Sequence, residues 1–551
     1  MSFPGYHRPY VERVAQGLAA RFGQERILYD RYHTAEFANP DLAFALPQLY
    51  RAEADLTVVM LSGHYLAREW CGLEWRAIFA SGVKERNPER LMLFRADDVE
   101  IPGLHGLEGF VPMDVFSPEA AVTLILQRLA INDGVARDQY LAWSPSGVKP
   151  TDAAVLDHYE TLISNTRQAG RVEEAFDLFW DALGGFPHLG QKLGEYARGV
   201  RILNGFASAL TPESAGAGLP LRQRARLVTA WGLFRWSVGD LSGARACHLY
   251  GSAIRETLGE SENQAICLRN AVVVEIDRGD LTAARGLAVR SLAISEGAEA
   301  RSGRKDSTAY LATINGITGN VAEAMTLFGR AAKLQGGPLQ GAWGVREADL
   351  MLATGDSDGA LMRTKGNLDH CQKKDWGRDV ALCQDLLGRT DPAAAQPQLD
   401  ALRAWAIRSS DVWMVLAAHR LAALHALANG DPGAAQYEAD VGIAIADAHG
   451  YGLRAIDLRV VAARALLDSG LSKRALTFAR EAVDAATASG CGYAWGEAEA
   501  EHLCGLAHEA LEEPEHAHPR FAAASAVRHR IGHPGAGDSD QAIARLPPRE
   551  G

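Results

Sequence analysis

The sequence predicts a two-part chain, a doubly wound parallel-sheet α/β domain followed by an all-α solenoid. Three observations carry this. Short apolar runs alternate with amphipathic stretches up to about residue 130. From about Thr151 onward a Gly-to-Ala spacing recurs at a nearly fixed period. At 551 residues the chain is also too long for one ordinary core.

In the first part, Val11, Val14, Ala15, Leu18, Ala19 and Phe22 form one helical stripe that starts at Pro9. Arg26–Asp30 reads as a strand, and Asp41–Arg51 as a second helix. Leu56–Ser62 is an apolar run of strand length, as expected for a strand buried on both faces. A helix is expected over Tyr65–Ser81 and a strand over Leu91–Arg95. Phe110–Asp114 reads as a short edge strand, where its proline is tolerated. Val122, Ile125, Leu126 and Leu129 mark a closing helix. Alternation of this kind implies a flavodoxin-like doubly wound sheet.

In the second part, a Gly is followed five residues later by an Ala at Gly170/Ala175, Gly239/Ala244, Gly279/Ala284, Gly319/Ala324, Gly355/Ala360, Gly430/Ala435 and Gly470/Ala475. Asp391 with Ala395 marks a degenerate turn between the units at Gly355 and Gly430. The Gly can end one helix in the left-handed region without a Cβ clash. The Asp or Asn that often follows caps the next helix. The small Ala lets the two helices approach closely. The pattern resembles the tetratricopeptide repeat in a long variant of about 40 residues. Such units stack into a superhelix with a concave face, which suits binding of a protein or a peptide. The boundaries read from these patterns are 1–130 for the α/β domain, 131–151 for a linker, 152–530 for the repeats and 531–551 for a disordered tail. Phe186–Gly199 is a Gly-containing irregularity between two units.

A net charge of −12 and a pI near 5.8 argue against nucleic acid or an anionic membrane as partner. Met1–Tyr10 has no basic segment leading into an apolar one, and no apolar run is long enough to cross a bilayer, so a cytoplasmic protein is expected. The seven cysteines form no CxxC pair, which disfavours a disulfide framework or a zinc site; no metal is expected. The sequence contains no GxxxxGK[ST] nucleotide loop, and no HExxH or GxSxG site stands out.

The first part resembles the TIR domains of innate immunity. The residues that carry the resemblance are Ser2-Phe3-Pro4-Gly5, Tyr29-Asp30, Ala54 through Ser62, Tyr65 and Trp70-Cys71-Gly72-Leu73-Glu74-Trp75. Many TIR domains cleave NAD+ at the nicotinamide–ribose bond, through an oxocarbenium-like ribose that a carboxylate stabilises. The resemblance makes Glu74 the catalytic carboxylate and sets Trp70 beside the nicotinamide ribose. It also implies that Phe3, Arg8, Asp30 and Ser62 line the cleft, with Arg8 a partner for the pyrophosphate. Without the resemblance, Glu74 reads as a solvated helix charge and Trp70 as core. NAD+ would be the substrate and no cofactor is implied. TIR domains begin with a full apolar strand, and Met1 falls almost at its end, so a start upstream is expected.

The function implied is an NAD+ glycohydrolase of bacterial antiphage immunity. It would be switched on when the repeats bind a protein or small-molecule activator and the TIR domains form a homo-oligomer. The alternative is a non-enzymatic adaptor in which both parts bind proteins.

Overall fold

The computed structural model describes residues 1–34, 54–66, 75, 78, 90–97, 109–132 and 149–547. The chain divides into two compact units, Met1–Thr161 and Leu162–Gly551. That division falls inside the helix Ala153–Gln168, beyond the expected linker.

The first unit is built on a parallel sheet of β1 (Thr57–Leu61), β2 (Leu91–Arg95) and β3 (Val111–Pro112), in the order β1-β2-β3. Thr57 pairs with Leu91 and Leu61 with Arg95. Every residue of β1 is buried, as its uninterrupted apolar run requires. Successive side chains of a strand point to opposite faces. Val58 and Met60 meet α1 (Arg8–Phe22), with Val11, Val14 and Leu18 in the same core. After β1 comes the short α2 (Gly63–Leu66). The closing helix α3 (Pro118–Asn132) adds Ala121 and Ile125 to the core beside α1. The two helices approach so closely that a Cβ on Gly17 would lie 2.6 Å from Val122, so only glycine fits there.

On the free side of β1 lies Ser2. Its amide donates to the Val58 carbonyl at 2.9 Å, and its carbonyl accepts from the Met60 amide at 2.9 Å. Beyond it, the Met1 amine donates to Leu28 O at 2.9 Å. The expected strand Arg26–Asp30 is corrected. Gln24–Arg26 is a turn of 3-10 helix, and the amides that follow bond locally, Ile27 N to Gln24 O and Tyr29 N to Ile27 O, so that no strand ladder forms there among the described residues. The expected helix Asp41–Arg51 lies outside the described residues. Of the expected helix Tyr65–Ser81, Trp75 and Ile78 are helical and buried.

The second unit is all-helical. Helix hairpins such as Leu221–Ser237 with Leu241–Thr257, Ser261–Arg278 with Leu281–Gly297, and Gly452–Asp468 with Ser472–Thr487 repeat along it. The repeat signature has the structural meaning expected of it. Gly279 at φ +84° and Gly430 at φ +75° both sit in the left-handed region. Asp240, Asp280, Asp356 and Asp431 each accept from a backbone amide three residues on, at 2.9–3.0 Å. All seven signature alanines are fully buried. Asp391 caps only a 3-10 turn, Pro392–Ala394, which is why its unit looks degenerate in sequence. The irregular segment opens on a wide turn in which Gln191 N bonds to Phe186 O, and a like turn, with Leu183 N bonded to Leu178 O, precedes it.

Two features depart from the expectation. The tail expected to be disordered carries a helix among its described residues. Ala536–Arg545 is a helix whose Ala542 packs on Ala517 and Phe521, and Arg528 donates to Gly535 O and Ser539 Oγ to hold it. Small residues let this helix dock, although the stretch reads as polar. Second, the superhelix does not leave its inner face open. Residues about 210 apart meet edge to edge: His449 Nδ1 lies 3.2 Å from Gly239 O, and Tyr451 donates to Trp236 O at 3.3 Å. Trp495 Nε1 donates to Gly316 O at 2.8 Å, and Thr282 N to Gly490 O at 3.0 Å. A Cβ on Gly452 would stand 2.4 Å from Arg278 O, so glycine is required at that contact.

Candidate active site

Parallel strands present the loops at their carboxyl ends to ligands. Here these loops follow Ser2, β1 and β2, and they are tied together. The Gly63 amide donates to both carboxylate oxygens of Asp97, at 2.9 and 3.2 Å. Arg95 Nε donates to Asp97 O at 2.7 Å. Ser2 Oγ and Tyr65 Oη lie 2.6 Å apart and are buried.

Four of the six residues expected in the site are described, and three of them form one cluster. Arg8 grips Asp30 through two bonds, at 2.8 and 2.7 Å, with both side chains about a third exposed. Asp30 holds the Arg8 guanidinium firmly in its charged form. The same guanidinium lies 5.3 Å from the centre of the Phe3 ring, and Phe3 in turn packs on Tyr29 at 5.9 Å. Ser62 is fully buried at the end of β1. Its Oγ finds no hydrogen-bond partner among the described residues, which is costly unless a ligand or water supplies one. Trp70 and Glu74 lie outside the described residues.

From the sequence alone His7 and His64 read as polar loop residues, and neither Tyr6 nor Asp97 stands out. The structure groups them beside Ser62. Tyr6, 70% exposed, stacks on His64 at 4.5 Å and meets His7 edge-on at 5.3 Å. Burial, and then His64, push His7 below its ordinary value, so it is neutral near pH 7. Asp97 is the second residue beyond β2, a position that the strand pattern alone could have flagged. A guanidinium, an aromatic lip, a buried hydroxyl and a neutral imidazole together suit a polar ligand with an anionic part. Among the described residues, no group of three or more His, Cys, Asp or Glu could hold a metal, and no helix is long and apolar enough to cross a membrane.

Residues 1–126 match the TIR domain family. Over 129 residues the chain is 31% identical to the 3' cyclic ADP-D-ribose synthase AaTIR of Aquimarina amphilecti. That alignment covers 23% of this chain and 38% of that protein, so the chain spans well under half the length of this curated relative. Among solved structures, similarity is found to the tetratricopeptide-repeat domain of P58(IPK), at 13% identity and a TM-score of 0.23, covering 71% of this chain and 98% of that one. It is also found to a signal transduction ATPase with a tetratricopeptide-repeat sensor from Pyrococcus horikoshii, at 10% identity and a TM-score of 0.33, covering 94% and 88%. The chain joins a parallel-sheet domain to an all-helical repeat array. Its amino-terminal domain is a TIR domain.

Proposed function

We propose that the TIR domain cleaves the nicotinamide–ribose bond of NAD+, and that the array controls this by binding an activator and bringing TIR domains together in bacterial antiphage defence. The observations that carry the reading are the cluster of Phe3, Arg8 and Asp30 and, at the carboxyl end of β1, the buried Ser62 hydroxyl, which has no hydrogen-bond partner among the described residues. The 31% identity to a cyclic ADP-ribose synthase supports the same chemistry.

In this reading no cofactor takes part and NAD+ is the substrate. Arg8 holds the pyrophosphate by exchanging part of its contact with Asp30, since a guanidinium bonds a phosphate in the same forked geometry as a carboxylate. The Phe3 ring and Trp70 shield the ribose from water. Glu74 stands beside the anomeric carbon. As nicotinamide leaves with the bonding pair, its charge offsets the positive charge that develops on the ribose. Attack by water gives ADP-ribose, and attack by a hydroxyl of the same molecule gives a cyclic product.

The test is nicotinamide release from NAD+ by the full chain, alone and fused to a dimerising partner, compared with Glu74→Gln. Release by the fused wild type and none by the fused variant is expected. Equal release by the two removes Glu74 from the mechanism. No release by either fused protein removes the enzymatic reading.

A further inference from the structure

Four successive inner helices of the array each bring one arginine to a single interior cavity. Arg346 comes from Ala342–Ala353, Arg389 from Gly377–Thr390, Arg420 from Val412–Ala428 and Arg454 from Gly452–Asp468. The cavity measures ≈ 370 Å³ and exists because the superhelix returns on itself. Small-molecule sites run to roughly 300–1,000 Å³, so the space suits one small ligand and excludes a folded domain.

The charges around it are unevenly matched. Arg389 is fully engaged, with Asp349 at 2.7 Å and Asp385 at 3.1 Å. Arg420 and Arg454 share one carboxylate, that of Asp457, at 3.5 and 3.3 Å. Asp457 also accepts from Tyr493 Oη at 2.7 Å, and Arg420 Nε is buried without a hydrogen-bond partner. Arg346 also lines the cavity and makes no close ion pair with a described residue, its charge acting on Asp277 at longer range. Of the other lining carboxylates, Glu499 is paired with Arg528 at 2.6 Å, and Asp277 is occupied by Trp236 Nε1 at 2.7 Å while burial pushes it toward its neutral form. A buried guanidinium without an acceptor is costly, and an anion of matching geometry relieves the cost. Aromatic walls complete the cavity. Trp413 has one face held by Arg454 at 4.3 Å, and Trp495 also lines the cavity.

We propose that this cavity binds a small anion bearing a planar ring, of the nucleoside-phosphate class. Its phosphates bond Arg346, Arg420 and Arg454, and its ring lies against Trp413 and Trp495. The site belongs to the array alone and stands whether or not the TIR domain hydrolyses NAD+.

The experiment is calorimetric titration of the full chain with ADP, ATP, GDP and UDP, and with adenosine, inorganic phosphate and an acidic peptide as comparators. Arg346→Gln is the key variant. It breaks no close ion pair, its effect on Asp277 being long-range, and it is expected to fold as the wild type does, which its melting temperature checks. Arg330→Gln, on the exposed Arg330–Glu296 pair, is the control. The expected result is saturable binding of at least one of the four nucleotides, weakened roughly tenfold or more by Arg346→Gln, as for loss of one charge-assisted bond, and unchanged by Arg330→Gln. Binding that Arg346→Gln leaves intact, including nucleotide binding confined to the TIR domain, overturns the proposal. So does silence from all four nucleotides, or binding of the acidic peptide in their place.

Discussion

The two units obtain their order in different ways. In the array, each hairpin is set by contacts a few residues apart: a left-handed glycine, an aspartate cap three residues upstream of its amide, and a buried alanine. In the TIR domain, the features that matter join distant residues, such as Arg8 to Asp30, Ser2 to Tyr65 and Gly63 to Asp97. Damage to the array should therefore be read as stability, one unit at a time, whereas damage to the TIR cluster should be read as activity with little change in melting.

The largest expected effect tests the TIR side. Glu74→Gln should lower NAD+ cleavage about 100-fold to 1,000-fold, the usual loss when one group that stabilises transition-state charge is removed. Its melting temperature should match the wild type, and a fall would make Glu74 structural.

Next comes Ala284→Leu, which forces a large side chain between two helices at a fully buried signature position. Overpacking of this kind costs about 1–3 kcal/mol, read from chemical denaturation. An unchanged midpoint would mean that the signature alanine is not where the hairpin closes.

Acid should separate the units as well. His248 is fully buried, neither ring nitrogen has a partner, and burial lowers it from 6.5 to about 3. The unfolded chain binds the proton first, so stability is untouched above about pH 6.5 and is lost as pH falls from there toward 3. At pH 5 the loss is ~2 kcal/mol for this one group. His248→Gln should flatten the acid limb of the array's stability profile, and an unaltered limb would clear His248 of the effect.

Smaller again is Arg8→Ala, expected to raise KM for NAD+ roughly tenfold with little change in kcat, because it removes binding and not charge stabilisation. A kcat loss with constant KM would reverse that assignment. The smallest is Gly430→Ala. No atom lies within 4 Å of the added Cβ, so only the φ of +75° is penalised, by about 1 kcal/mol in denaturation.

Legibility in the sequence follows the same divide. The glycines, caps and alanines were readable because each acts locally and recurs. β1 was readable from one apolar run. The local turns at Gln24–Tyr29 were not, since an apolar run does not say whether its amides will bond to a neighbouring strand or back on themselves. The helix Ala536–Arg545 was missed because it docks with small residues that give no apolar stripe. The grouping of Phe3, Arg8 and Asp30 was available only through the family resemblance. The arginine cavity was invisible: Arg346, Arg389, Arg420 and Arg454 become neighbours only when the superhelix closes.

That closure has a further consequence. Ordinary solenoids melt piecemeal, since each repeat touches only the next. Here Trp236 and Gly239 lean on Tyr451 and His449, and Gly316 on Trp495, so early repeats lack their partners until late ones have folded. Contacts of such sequence separation slow folding and couple the ends, making the array behave less like a spring than like a latched ring that opens all at once.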